Sequence, residues 1–197
     1  MTDYSIYTVA ATLPKKLLTS LVISVYFVPV ALVLAFYLIA ALPKYTYQPE
    51  ALGFFAIPII FMLIVCALVI ANIKGAVSAA TRSQSLSFRI VLNFKLCLIP
   101  FYIVNFICWL ISSMVFHLAL FVLPLLPFVT AYTYITMIGT SAHVIAKLFT
   151  LYRNNDITKK QFVIHCILQL IFILDVFDNI YLAAKQDELG NFSKQQG

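Results

Sequence analysis

Charged side chains are scarce in this chain. They make up 10% of it, against 63% hydrophobic residues, and the mean hydropathy is +1.00. A soluble domain carries about 25% charged residues. The shortfall excludes an ordinary water-soluble fold and implies several membrane spans. Acidic residues are the rarest charged class, with seven Asp and Glu against thirteen Lys and Arg. Lipid-type transferases that hold Mg²⁺ through carboxylates need more acids than the apolar runs contain. The pair in Asp175-Val176-Phe177-Asp178 is too few for them.

Other absences narrow the function further. The four cysteines, Cys66, Cys97, Cys108 and Cys166, form no C-x-x-C and lie in or beside apolar runs. Neither a disulfide framework nor a cysteine zinc site is expected from them. There is no G-x-S-x-G, no P-loop and no G-x-G-x-x-G, so no enzyme activity and no cofactor are expected. His143, His165 and Asp175 lack the H-x-x-x-H spacing of a zinc site, and no metal is expected. Nucleic acid is excluded as a partner because the basic residues sit in short stretches between apolar runs, where they orient a membrane protein.

What is present is a series of apolar runs. Leu17 to Leu42 follows Lys15 and Lys16 and is too long for a signal-peptide core, so it reads as an uncleaved first span. Pro29 falls near its middle, and Ala31 and Ala35 form a small-x-x-x-small pair that allows close helix approach. Ala51 to Ile73 is a second span and Leu96 to Leu118 a third. Residues 74–95 between them carry Lys74, Arg82, Arg89 and Lys95 with no acid. Within them, Ser85 to Lys95 suits a surface elbow helix or an early start to the third span with snorkelling basic side chains. These four are candidate contacts for anionic lipid headgroups. Tyr45 and Tyr47 fit an aromatic belt, His117 an interfacial position, and Pro124 and Pro127 a turn before a fourth span, Phe128 to Thr150.

The last segment is the most informative. Thr158-Lys159-Lys160-Gln161 matches the T-x-x-Q capping box and predicts a helix starting at about Lys159 and running to about Ala184. Gln169 and His165 interrupt its apolar core, so it either spans or re-enters. The fold class expected is therefore all-α, a polytopic transmembrane bundle of five apolar helices. Residues 1–184 form one domain and 185–197 a polar tail. Basic residues at Lys15/Lys16, 74–95 and 147–160 share one side, which places the N-terminus in the cytoplasm and, with five spans, the C-terminus outside.

A polar seam is the candidate site. On a helical wheel Thr133, Thr136, Thr140, His143 and Lys147 fall within roughly 80°. His165, Gln169, Asp175, Asp178 and Asn179 share about half of the last helix. A tight turn would set the two stripes face to face. An aspartate at membrane depth costs about 2.5–3.5 kcal/mol, so it faces protein, water or headgroups. Two readings stand: an ion- or proton-responsive path or substrate site, and interhelical hydrogen-bond glue with Asp178 and Asn179 at the interface.

Leu151-Tyr152-Arg153, Ile157 to Phe162, His165, Leu168 to Val176 and Asp178 together resemble the C-terminal end of small, uncharacterised bacterial multi-pass membrane proteins. The resemblance implies no activity, cofactor or substrate. The function expected is a plasma-membrane protein in contact with the bilayer and with a membrane protein partner, a non-enzymatic accessory, sensing or interaction component. The alternative is a small carrier that uses the polar seam.

Overall fold

The computed structural model describes residues 3–41, 53, 56–82, 85–114, 126–171 and 173–195. The connections that hold Tyr45, Tyr47, His117 and Pro124 lie outside them. The described residues build α1 (Asp3–Ala41), α2 (Ala56–Thr81), α3 (Phe88–Met114), α4 (Leu126–Arg153), α5 (Lys159–Leu168) and α6 (Leu174–Gln195). Four segments are long and apolar enough to cross a membrane: Leu13–Ala35, Ala56–Thr81, Phe88–Ile107 and Thr130–Arg153.

α4 is the central helix. Of its apolar window 61% is buried, against 22–33% for the other three. Leu21, Val25 and Val28 of α1, Val65 and Val69 of α2, Leu98 and Phe101 of α3 and Tyr132 of α4 form one core cluster. Small residues bring α2 and α4 together: Ala76 and Ala80 pack on Ala142 and Ala146. Ala31 and Ala35 of α1 are also buried. In lipid, where chain and solvent are equally apolar, such close approach gains van der Waals contact that bulkier residues would prevent. The outward faces stay apolar, with Ile23, Val33, Leu63, Val77 and Phe106 exposed.

Several boundaries differ from expectation. α2 runs on to Thr81 because the residues after Lys74 are small and pack against α4. α3 begins at Phe88, as the early-start reading of residues 85–95 has it, with Val91 N–H bonded to the Ser87 carbonyl at 3.2 Å. Lys95 does not snorkel, however. It is 2% exposed inside the bundle.

The turn after α4 follows the sequence closely. Asn155 adopts the left-handed conformation (φ 61°) that asparagine tolerates better than most residues. Asp156 N–H bonds the Leu151 carbonyl at 2.9 Å and Asn155 N–H the Tyr152 carbonyl at 3.1 Å, a Schellman ending. The capping box then opens α5: Thr158 N–H reaches Gln161 Oε1 at 2.9 Å, and Gln161 N–H reaches Thr158 Oγ1 at 3.3 Å.

The fifth apolar helix expected at Lys159 to Ala184 is two helices. α5 stops at Leu168 and α6 starts at Leu174, without glycine or proline between them. The last turn tightens, with Leu170 N–H to Ile167 at 3.0 Å and Ile171 N–H to Leu168 at 3.2 Å. Tyr134 Oη of α4 donates to the freed Leu170 carbonyl at 2.9 Å.

α6 runs antiparallel to α3. Ser87, at the start of α3, donates to Gln186 Oε1 at 2.6 Å, whereas Lys95, further along, meets Asp175 at the start of α6. Leu182 and Ala183 consequently pack with Leu18, Phe88, Leu148, Leu151 and Ile157. That cluster gathers the ends of α1, α3 and α4 at which Lys16, Arg89 and Arg153 lie. The expected C-terminus at the opposite end is therefore corrected: α5 and α6 form a hairpin that enters and leaves at one end of the bundle. α6 also extends to Gln195, past the apolar pattern and through most of the expected polar tail.

Candidate functional site: a buried ionic network at the hairpin tip

The tip of the hairpin delivers Gln169, Asp175 and Asp178 to a single polar cluster. Lys95 supplies its cation. Phe88 to Lys95 spans about 10 Å of helix at 1.5 Å per residue, so Lys95 stands about two turns into α3. Asp175 is level with it because the chain turns back.

Each donor of the Lys95 ammonium has a partner. It donates to Asp175 Oδ1, to Gln169 Oε1 at 2.7 Å and to Ser141 Oγ at 3.2 Å. An ammonium has three donors and no acceptor, so this set is complete. Ser141 Oγ donates to the same Asp175 oxygen at 3.0 Å. Gln169 turns its amide the other way, donating to Asp178 Oδ2 at 2.7 Å. Asp178 Oδ1 accepts from His165 Nδ1 at 2.5 Å. The imidazole proton is thus on Nδ1, and Gln169 bridges the Lys95 ammonium and the Asp178 carboxylate.

The expected seam divides into two. Thr136, Thr140 and His143 are buried, but they face away from the hairpin. His143 Nε2 donates to Asn72 Oδ1 at 3.1 Å, and Asn72 Nδ2 donates to the carbonyls of Leu17 at 3.1 Å and Leu68 at 2.8 Å. That network joins α4 to α2 and α1. Thr136 and Thr140 hydroxyls donate to their own helix, to Tyr132 and Met137 carbonyls at 2.8 and 2.9 Å. Thr133 Oγ1 accepts from Asn105 of α3 at 3.0 Å. Lys147 is half-buried, within electrostatic reach of Asp156, and belongs to neither network. Of the Thr133–Lys147 stripe, Thr133 and His143 thus bond other spans, and Thr136 and Thr140 bond their own helix. His165, Gln169, Asp175 and Asp178 do come together.

Asn179, placed at the interface in one reading, is fully buried, and neither of its polar side-chain atoms has a hydrogen-bond partner among the described residues. Of the candidate lipid contacts, Lys74, Arg82 and Arg89 are exposed, and Lys95 is withdrawn into the network.

Sequence reasoning missed Ser141, Asn72, Tyr134 and the true role of Lys95. A signal existed for Lys95. A lysine between Phe94 and Leu96 in an apolar run requires a counter-charge, and Asp175 and Asp178 are the acids that interrupt the apolar pattern of the last segment. Ser141 stands about 100° around α4 from Thr140, off the stripe, and has no such signal.

A family model described as "Family of unknown function (DUF6652)" matches residues 15–188, and the chain belongs to that family. The match takes in all four spans and the hairpin network. No curated protein and no solved structure is similar to the chain.

Proposed function

We propose that this family member is a non-enzymatic plasma-membrane protein with its N-terminus in the cytoplasm, acting as a sensing or interaction component through its re-entrant hairpin. The observation that carries this reading is the Lys95–Gln169–Asp175–Asp178 network. Its groups bond one another and hold the hairpin against the bundle. Orientation rests on the basic residues. Lys15, Lys16, Lys74, Arg82, Arg89, Arg153, Lys159 and Lys160 are exposed at the end where the hairpin enters. Positive residues stay in the cytoplasm, so that end faces inward and the hairpin dips into the inner leaflet and returns. Its outward face is apolar, with Val163, Ile164, Ile167, Ile173 and Phe177 exposed. Such a face meets lipid or a helix of another membrane protein.

A carrier is the second reading. It is favoured by the discontinuity itself, since broken helices that present polar groups at membrane depth are where many transporters bind ions and substrates. One preparation separates the two. Mild-detergent extraction of the tagged full-length protein is expected to recover a membrane protein in stoichiometric amount, and Phe177→Ser is expected to reduce that recovery. A lone monodisperse species showing pH-driven solute uptake in vesicles, abolished by Asp175→Asn at unchanged protein level, would favour the carrier instead.

A further inference from the structure

The network is not electrically balanced. Lys95, Asp175 and Asp178 have side-chain exposures of 2%, 4% and 2%, while His165 keeps 16%. Two buried carboxylates share one buried ammonium. With neutral imidazole the cluster carries one excess negative charge at membrane depth, where an unpaired charge is costly. The cluster becomes neutral when one further positive charge is bound.

We propose that the hairpin network is a binding site for a single proton, taken up at the His165–Asp178 pair. The geometry defines the step. His165 Nδ1–H is already committed to Asp178 Oδ1 at 2.5 Å. A proton from water adds to the other ring nitrogen, Nε2, and the imidazolium then pairs with Asp178 while Lys95 pairs with Asp175. His165 is the least buried member of the network and gives it contact with the surface.

A second observation points to the same place. Asn179 lies one turn along α6 from Asp175 on the same face, fully buried, with both carboxamide atoms unpartnered among the described residues. A carboxamide needs both a donor and an acceptor. Water supplies both, and internal water commonly fills this role. Among the described residues a donor and an acceptor thus stand uncommitted beside the acidic turn of α6, where a water could bond.

Other ionisable groups face the pair from each neighbouring element. α3 contributes Lys95 and Tyr102, the latter within electrostatic reach of Asp175. α4 contributes Tyr134, committed to the Leu170 carbonyl. α5 contributes Cys166, within reach of Asp178. α6 contributes Asp175 and Tyr181, whose ring stacks on His165 with centroids 6.0 Å apart and has Lys185 Nζ 5.1 Å from its centroid. Lys95 is committed to Asp175 and Tyr134 to the Leu170 carbonyl, and the imidazole keeps one ring nitrogen that can accept a proton. Proton binding follows from the hairpin geometry and holds for an interaction component and a carrier alike.

The test is a pH titration of ¹⁵N-histidine NMR signals from the full-length protein in lipid nanodiscs. One imidazole signal is expected to titrate as a single step, to vanish in His165→Gln, and to bind its proton about 10- to 1,000-fold more weakly in Asp178→Asn, which removes the adjacent opposite charge. Exchanging sodium for choline is expected to leave the curve in place. A His165 signal that does not titrate overturns the proposal. So does a sodium-dependent, competitive shift, which would make the ligand a metal cation. If Asp178→Asn does not fold, the wild-type titration in the two salts still decides.

Discussion

Replacing Lys95 with methionine is expected to destabilise the protein by about 3–5 kcal/mol, the largest loss from any single side chain outside the apolar core. The size follows from what is left behind. Asp175 is 3% exposed and would lose its cation, and Gln169 Oε1 and Ser141 Oγ would lose a donor. The ion pair itself need not be worth that much, because taking two charges out of water offsets most of their attraction. The double variant Lys95→Met with Asp175→Leu removes both charges and is expected to recover most of the loss. Thermal unfolding of the wild type, Lys95→Met, Asp175→Leu and the double variant in the same detergent, followed by circular dichroism, measures the cycle. Losses that simply add in the double variant, with no recovery, would show that Lys95 and Asp175 act separately. The break between α5 and α6 would then lack an electrostatic cause.

Gly139→Val is expected to be the second most damaging of these changes, at about 1–3 kcal/mol or more. A Cβ at position 139 would lie 3.1 Å from both Leu21 Cδ2 of α1 and Val69 Cγ2 of α2. Two further methyl groups have nowhere to go unless α4 moves away from both neighbours. Such a shift would disturb the His143–Asn72 bond as well. Gly75 is the control. Its added Cβ would meet Leu17 Cδ1 at 3.4 Å, an ordinary contact, and alanine favours a helix by about 1 kcal/mol over glycine. Gly75→Ala is therefore expected to leave stability unchanged or raised in the same assay. Equal effects at the two positions would contradict the close packing assigned to α4.

The parts of this fold that could be read from sequence are those governed by neighbouring residues. Thr158 and Gln161 announce the start of α5 because a capping box is local. The spans follow from apolar length, and α4 lies within a few residues of its expected limits. The hairpin break could not be read this way. Residues 169–173 contain no helix breaker, and the run from Leu170 to Leu174 is continuously apolar. The break exists because a straight helix would carry Asp175 past Lys95, and three charge-assisted bonds outweigh a lost turn of helix. That comparison needs a partner about eighty positions away in the chain. The wheel failed for the same reason. It grouped Thr136, Thr140 and His143 correctly on one face of α4, but could not say that α2 rather than the hairpin lies opposite. Lys95 was legible as a basic residue in an apolar run; its burial follows only from α3 beginning at Phe88.

The central claim is that the last apolar segment turns back instead of crossing. Tags placed before Met1 and after Gly197 of the full-length protein in intact cells test it directly. Both are expected to be reached by antibody only after the membrane is permeabilised, since α6 returns Gln186 to Ser87 and Leu182 to the cluster around Leu18. A C-terminal tag reached in intact cells while the N-terminal tag stays hidden would mean that the segment spans, and would contradict both the hairpin and the ionic network at its tip.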